Sequence, residues 1–233
     1  MKFIAVNPIL PALALIGFAS SLYASAILPS GLNPGDPYRV IFISSEMGDA
    51  TSPDISHYNT LVDSVANAGG SDLALFGATW VVVGSTPTVD ALTNIGSFTS
   101  PVYNTAGLLV AINSTALWSG TLSNAVGYDE NGNSLLSQSA DTGTNSNGTG
   151  ASGFELGGIA PPSGVVFDGQ ANSTTSTWVA GGLLPRTFAG RHFYGISSDI
   201  IFGAPAAVPE PGTFGLMLMG AMLTAGVLRS QRR

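Results

Sequence analysis

The stretch Tyr38 to Ser44, YRVIFIS, decides the fold. Four consecutive apolar residues, Val40, Ile41, Phe42 and Ile43, leave no polar face, so the run reads as a strand buried on both sides. A Gly/Pro-rich lead, LPSGLNPGDP at 28–37, precedes it, and the loop SEMGDAT at 45–51 follows. Beyond the loop the spacing predicts a helix. Ser52 stands as N-cap, Pro53 at the first helical position and Asp54 in the first turn, where the helix dipole favours an acid. Ile55, Tyr58, Leu61, Val62 and Val65 recur at helical spacing until Gly69 and Gly70 stop the pattern.

Further outward, LALFGATWVVVGS at 73–85 reads as extended chain, and Thr86-Pro87 opens a short helix through Val89, Leu92 and Ile95 that Gly96 ends. From PVYNTAGLLVA at 101–111 the strands become brief and Gly/Ser/Asn/Thr segments separate them. YDENGNSLL at 128–136 predicts a hairpin turning at Asn131-Gly132. SADTGTNSNGTGASG at 139–153 has no periodicity and reads as loop. RHFYGISSDIIFG at 191–203 predicts a closing strand. The sum is a single α+β domain with long irregular loops.

The flanks carry different signals. Met1 to Ala26 has one lysine, an apolar run from Ile9 to Ala19, and Ala24-Ser25-Ala26 as a cleavage site, the pattern of a secretory signal. At the other end Gly212 to Leu228 holds no charge, and Arg229, Arg232 and Arg233 follow at once as a stop on the cytoplasmic side. The expected organisation is therefore a signal peptide at 1–26, an exported domain at 27–207 and a membrane-directed tail at 208–233. Between Ile27 and Ala207 three arginines face thirteen acids, a net charge of −10, which argues against nucleic acid as a partner. With no cysteine the domain has to hold by packing without disulfides.

The tail resembles a known family signal. Val208, Pro209, Glu210 and Pro211, an apolar helix and a basic end are similar to the PEP-CTERM sorting signal of Gram-negative bacteria. The resemblance implies signal peptidase and an exosortase as partners during export. It further implies transient residence in the inner membrane, then delivery to the cell surface or the extracellular polysaccharide. A second resemblance covers Tyr38 to Phe202 in short matches. The order of strand, helix, FGATWVVVGST, PVYNTAGLLVAINSTALWSG, YDENGNSL, DTGTNSNGTG and HFYGIS is similar to the C-type-lectin-like fold in its endostatin arrangement, although every cysteine that staples that fold is missing here. That resemblance implies a non-enzymatic binding domain for glycans or surface proteins, acting through the loops between Ala111 and Gly182.

Candidate site residues follow from chemistry. Asp129, Glu130, Asn131 and Asn133 in one turn, and Asp141, Asn145 and Asn147 in the next loop, offer the hard oxygens that calcium takes. Their spacing does not match an EF-hand, and Asx-rich turns have their own local reason to exist, so no metal is assigned. Trp118 and Trp178 either stack a sugar ring or plug the core beneath a loop, whereas Trp80, beside Val81, Val82 and Val83, belongs to the core. For a polysaccharide hydrolase, the alternative, Glu46, Asp49 and Asp54 are the carboxylates that folding would need to pair. His57 and His192 are the two possible bases. No catalytic motif joins them, and the expectation is a protein that is not an enzyme. Asn113, Asn147 and Asn172 stand in N-x-S/T sequons, which in a bacterial host read as loop composition.

Overall fold

The structure is a computed structural model and describes residues 29–159 and 164–203. The signal-peptide and sorting-tail expectations lie outside the described residues. Among the described residues no helix is long and apolar enough to cross a membrane.

The run that opened the sequence becomes β1, Pro37–Ile43, and sits inside a six-stranded mixed sheet. The helix α1 spans Ile55–Ala66. Short strands β2 (Trp80–Val82), β3 (Val102–Asn104) and β4 (Leu109–Ala111) follow, with α2 at Ala91–Ile95 and α3 at Ser114–Leu117. Next come β5 (Ser139–Asp141), β6 (Val165–Gln170) and β7 (Gly182–Pro185), then β8 (Tyr194–Ser197) and β9 (Ile200–Ile201). The large sheet runs β2-β8-β1-β3-β4 with β9 also on β1, while β5, β6 and β7 form a separate antiparallel sheet. The class is α+β, as expected.

Alternation along β1 explains why both faces had to be apolar. Ile41 and Ile43 face one buried cluster with Val102, Val110, Trp178, Tyr194 and Ile196. Val40 and Phe42 face the other, with Tyr58, Val62, Val65, Trp80, Val82 and Phe193. Helix α1 covers the second face through Tyr58, Val62, Val65 and Ala66, four of its buried residues.

Several local expectations need correction. The N-cap of α1 is Asp54, not Ser52; its carboxylate accepts from the Ser56 amide at 2.9 Å, and Ser52 instead accepts from the Asp54 amide. Pro53 thus lies outside the helix. Leu73 to Phe76, expected as extended chain, belongs to a 3-10 helix, Asp72–Phe76, whose first turn is capped by Ser71. The helix after Pro87 starts only at Ala91, because Thr86 and Val89 close a turn on themselves first. Part of the aperiodic 139–153 segment is strand β5. The closing strand is split into β8 and β9: Ser197 Oγ accepts the Val40 amide at 2.9 Å, and Asp199 is drawn aside by Arg39 Nε and Ser100 Oγ, both at 2.7 Å.

The 128–134 hairpin forms, with Tyr128 bridged to Ser134. Its positive φ falls on Gly132, at 75°, and not on Asn131, so the turn is closed by a left-handed glycine rather than by an Asn-Gly pair at its centre.

Asn104 ties the β3–β4 turn to the neighbouring loop. Wholly buried, it accepts the Ala106 and Leu108 amides through Oδ1 and donates through Nδ2 to the Ala125 carbonyl at 2.8 Å. Asn104→Ala would strand those backbone groups, and a loss of about 2 kcal/mol is expected in urea unfolding. A change below about 0.5 kcal/mol would show that water replaces the amide.

Candidate functional site

Strand directions divide the molecule into two ends. Pro37 pairs with Ile201 and Tyr38 with Ile200, while the Gly35 amide donates to the Phe202 carbonyl and the Phe202 amide to the Asp36 carbonyl, both at 2.9 Å. The first and last described segments therefore leave from one end. At the opposite end of β1, the Ile43 amide donates to Tyr128, the Gly48 and Arg191 backbones bridge, and the Asp141 amide reaches His192. This far end is built from residues 44–53, 128–134, 142–158 and 186–192, with the β5-β6-β7 sheet behind them. The expected binding segment from Ala111 to Gly182 does not lie wholly there: Ala111 pairs with Val102, near the terminal end.

The oxygen ligands weighed from sequence are separated, and the carboxylates of Asp129 and Glu130 are occupied. Asp129 is buried; its Oδ1 accepts the amides of Asn131 and Asn133, and its Oδ2 accepts from Asn133 Nδ2 at 3.0 Å. Glu130 accepts from the amide and hydroxyl of Ser45, pinning the hairpin to the end of β1. Asn131 and Asn133 themselves are exposed. Asn145 and Asn147 close a second hairpin through Thr149 and Gly150. Asp141 is wholly buried on β5 and does not join them. Among the described residues no three His, Cys, Asp or Glu side chains converge as a metal centre would require.

The tryptophans also part company. Trp178 has no exposure and belongs to the core, as does Trp80, so Trp178 presents no face to a sugar. Trp118 is partly buried, 5.8 Å from Trp178 between ring centroids, and remains the accessible ring of the pair. Gly169 is needed beneath Trp178: a Cβ there would stand 2.0 Å from the Trp178 carbonyl oxygen.

Glu46, Asp54 and His57 do share a site. With Ser56, Thr60, Leu61 and Ser64 they line an open groove of about 520 Å³ along α1. Asp54 is held below its ordinary carboxyl range by hydrogen bonds from the Ser56 side chain and amide, and Asp49 by the same two bonds from Thr51. Asp49 does not line the groove. His192 is buried elsewhere, with Nδ1 2.6 Å from the Ser44 carbonyl, so the two histidines do not meet.

Sequence reasoning missed the group that stands out most. Asp168 on β6 is directly opposite Asp141 on β5, and both are buried. Neither oxygen of Asp141, nor Oδ1 of Asp168, nor Nε of Arg191 finds a hydrogen-bond partner among the described residues. Burial raises the Asp141 carboxyl to about 7, with Arg191 opposing and Asp168 reinforcing the shift. A signal existed: Asp168 is an acid placed directly after the apolar run Val165, Val166 and Phe167.

No protein-family model matches the chain, and no curated protein matches its sequence.

Proposed function

We propose that the chain is a non-enzymatic exported protein, carried out by its N-terminal signal and sorted by an exosortase to the cell surface or the exopolysaccharide. The observation that carries this reading is the joining of both domain ends by β1 and β9. The described chain ends at Gly203, opposite the 44–53, 128–134 and 186–192 loops, and a domain tethered at that end would turn those loops outward. The C-type-lectin-like resemblance is supported by the same layout: first strand against last strand, with a separate three-stranded antiparallel sheet beyond them. Glycans or other surface proteins are the proposed ligands of the loop end. Phe188, half-exposed with Arg191 stacked on it at 5.1 Å to the ring centroid, gives that end an aromatic contact.

Stopping the chain before Val208 is expected to abolish surface delivery, as measured by fractionation and protease accessibility on intact cells. Identical distribution of the truncated and full chains would sink the sorting half of the proposal. The purified full chain is expected to retain immobilised host exopolysaccharide without releasing reducing ends. Release of reducing ends that is lost in Glu46→Gln would replace this reading with the hydrolase, since Glu46 and Asp54 line one groove.

A further inference from the structure

We propose that Asp141 and Asp168 share a single proton across β5 and β6, making the three-stranded sheet behind the loop end a latch that is closed when the proton is held and loosened when it leaves.

The register places the two residues opposite each other, so their side chains rise from the same face of the sheet. Asp141 has no exposure and Asp168 has 7%, yet three of their four oxygens meet no donor among the described residues. Buried carboxylates in native proteins are almost always paired, and two that face each other without donors do not both ionise. Transferring one proton into the pair turns an acceptor into a donor, and the neutral carboxyl then hydrogen-bonds its partner.

Charge leads to the same count. Arg191, on the segment leading into β8, is the cation that acts on Asp141. Two ionised carboxylates with one guanidinium leave a net negative charge in the interior, whereas one retained proton makes the set neutral. The other groups facing the pair are Tyr58 from α1, which feels Asp141, and Tyr194 from β8, which feels Asp168; burial raises both phenols above their ordinary range. His192 packs beside β5 with its Nδ1 engaged by the Ser44 carbonyl. Arg186, behind Tyr58, is occupied by the carbonyls of Glu155 and Gly153, and Asp49 by Thr51. None of these side chains supplies a donor to the pair.

When the proton departs to solvent, two anions remain across a ladder of three residue pairs. At the two ends of that ladder the Thr142 amide donates to Phe167, at 2.9 Å, and the Ala171 amide to Gln138, at 3.1 Å. These are the bonds that weaken. The latch is therefore tight in acid and loose in base, and the 142–158 loop hung from β5 follows it.

The test is a carboxyl-carbon NMR titration of the purified full chain, with Asp168→Asn beside the wild type. The wild type is expected to show two coupled steps, the upper one near neutrality. In Asp168→Asn the Asp141 midpoint is expected to fall by about one unit or more, because the like charge is gone and the amide donates. An unmoved midpoint would mean that burial alone holds the proton, and the shared-proton proposal would be overturned. It would equally be overturned if the upper step moved down on adding calcium in the millimolar range, which assigns the pair to a cation. Should the variant not fold, the wild type still decides. The protection of the Thr142 and Ala171 amides, corrected for intrinsic exchange, is expected to fall about tenfold per pH unit on approaching neutrality and to level off above it. Protection independent of pH overturns the latch.

Discussion

Replacing Asp141 by asparagine is expected to raise the unfolding free energy near pH 8 by about 2 to 4 kcal/mol and to leave it almost unchanged near pH 4. The carboxyl lies at no solvent exposure, and its burial lifts it from 3.8 to about 7. Between those values the folded chain holds a proton that the unfolded chain has lost. Stability therefore declines as pH rises through that window, and the decline is complete above the folded value. Asparagine keeps the shape and carries no charge to desolvate, and its amide donates toward Asp168. Urea unfolding at the two pH values measures the effect. A variant no more stable than the wild type near pH 8 would show that Arg191 and bound water already compensate the ionised acid.

Trp178→Ala is expected to cost about 4 kcal/mol, the cost of deleting a wholly buried indole from a core that cannot close over the gap. The ring packs on Tyr194 and Trp118, each 5.8 Å away between centroids, and the Trp178 carbonyl lies against Gly169 of β6. Backbone on one side and aromatic rings on the other limit relaxation. Its indole nitrogen has no partner among the described residues, so Trp178→Phe gives up volume but no hydrogen bond and is expected to cost less than about 2 kcal/mol. Trp118→Ala, at a partly buried position, is expected to disturb stability much less than Trp178→Ala. Thermal unfolding of the three variants makes the comparison. If Trp118→Ala proved as damaging as Trp178→Ala, Trp118 would be core as well, and no tryptophan of the pair would be open to a ligand. If Trp118→Ala stays folded and loses binding to exopolysaccharide, the ring-stacking expectation holds for that residue.

The contrast between these two tryptophans shows what local sequence conveys. ALWSGTL and TSTWVAG look alike, each a tryptophan among small and polar residues near a loop. Their difference arises from contacts far along the chain: Trp178 meets β6 and β8, and Trp118, only partly buried, lies against Gly148. The groove along α1 was only partly legible, because helical spacing places His57, Thr60, Leu61 and Ser64 together, but nothing in the sequence brings Glu46 over them. Asp129 offers a cation its oxygens in sequence, but in the fold it is the knot of its own turn, since a short side chain followed by two amides satisfies itself locally.

What the sequence determined by itself was whatever depends on neighbours a few residues apart. That covers the doubly apolar β1, the apolar stripe of α1, the turn at Gly132, and a core that must stand without disulfides. Tertiary structure alone decided the rest. It bound the first strand to the last at one end, broke the closing strand at Ser197 and Asp199, and set Asp141 against Asp168 through a pairing 27 residues apart in sequence. The reason is that strand register is fixed by partners and burial rather than by propensity. The proton affinity of an acid is likewise fixed by what surrounds it after the chain has closed.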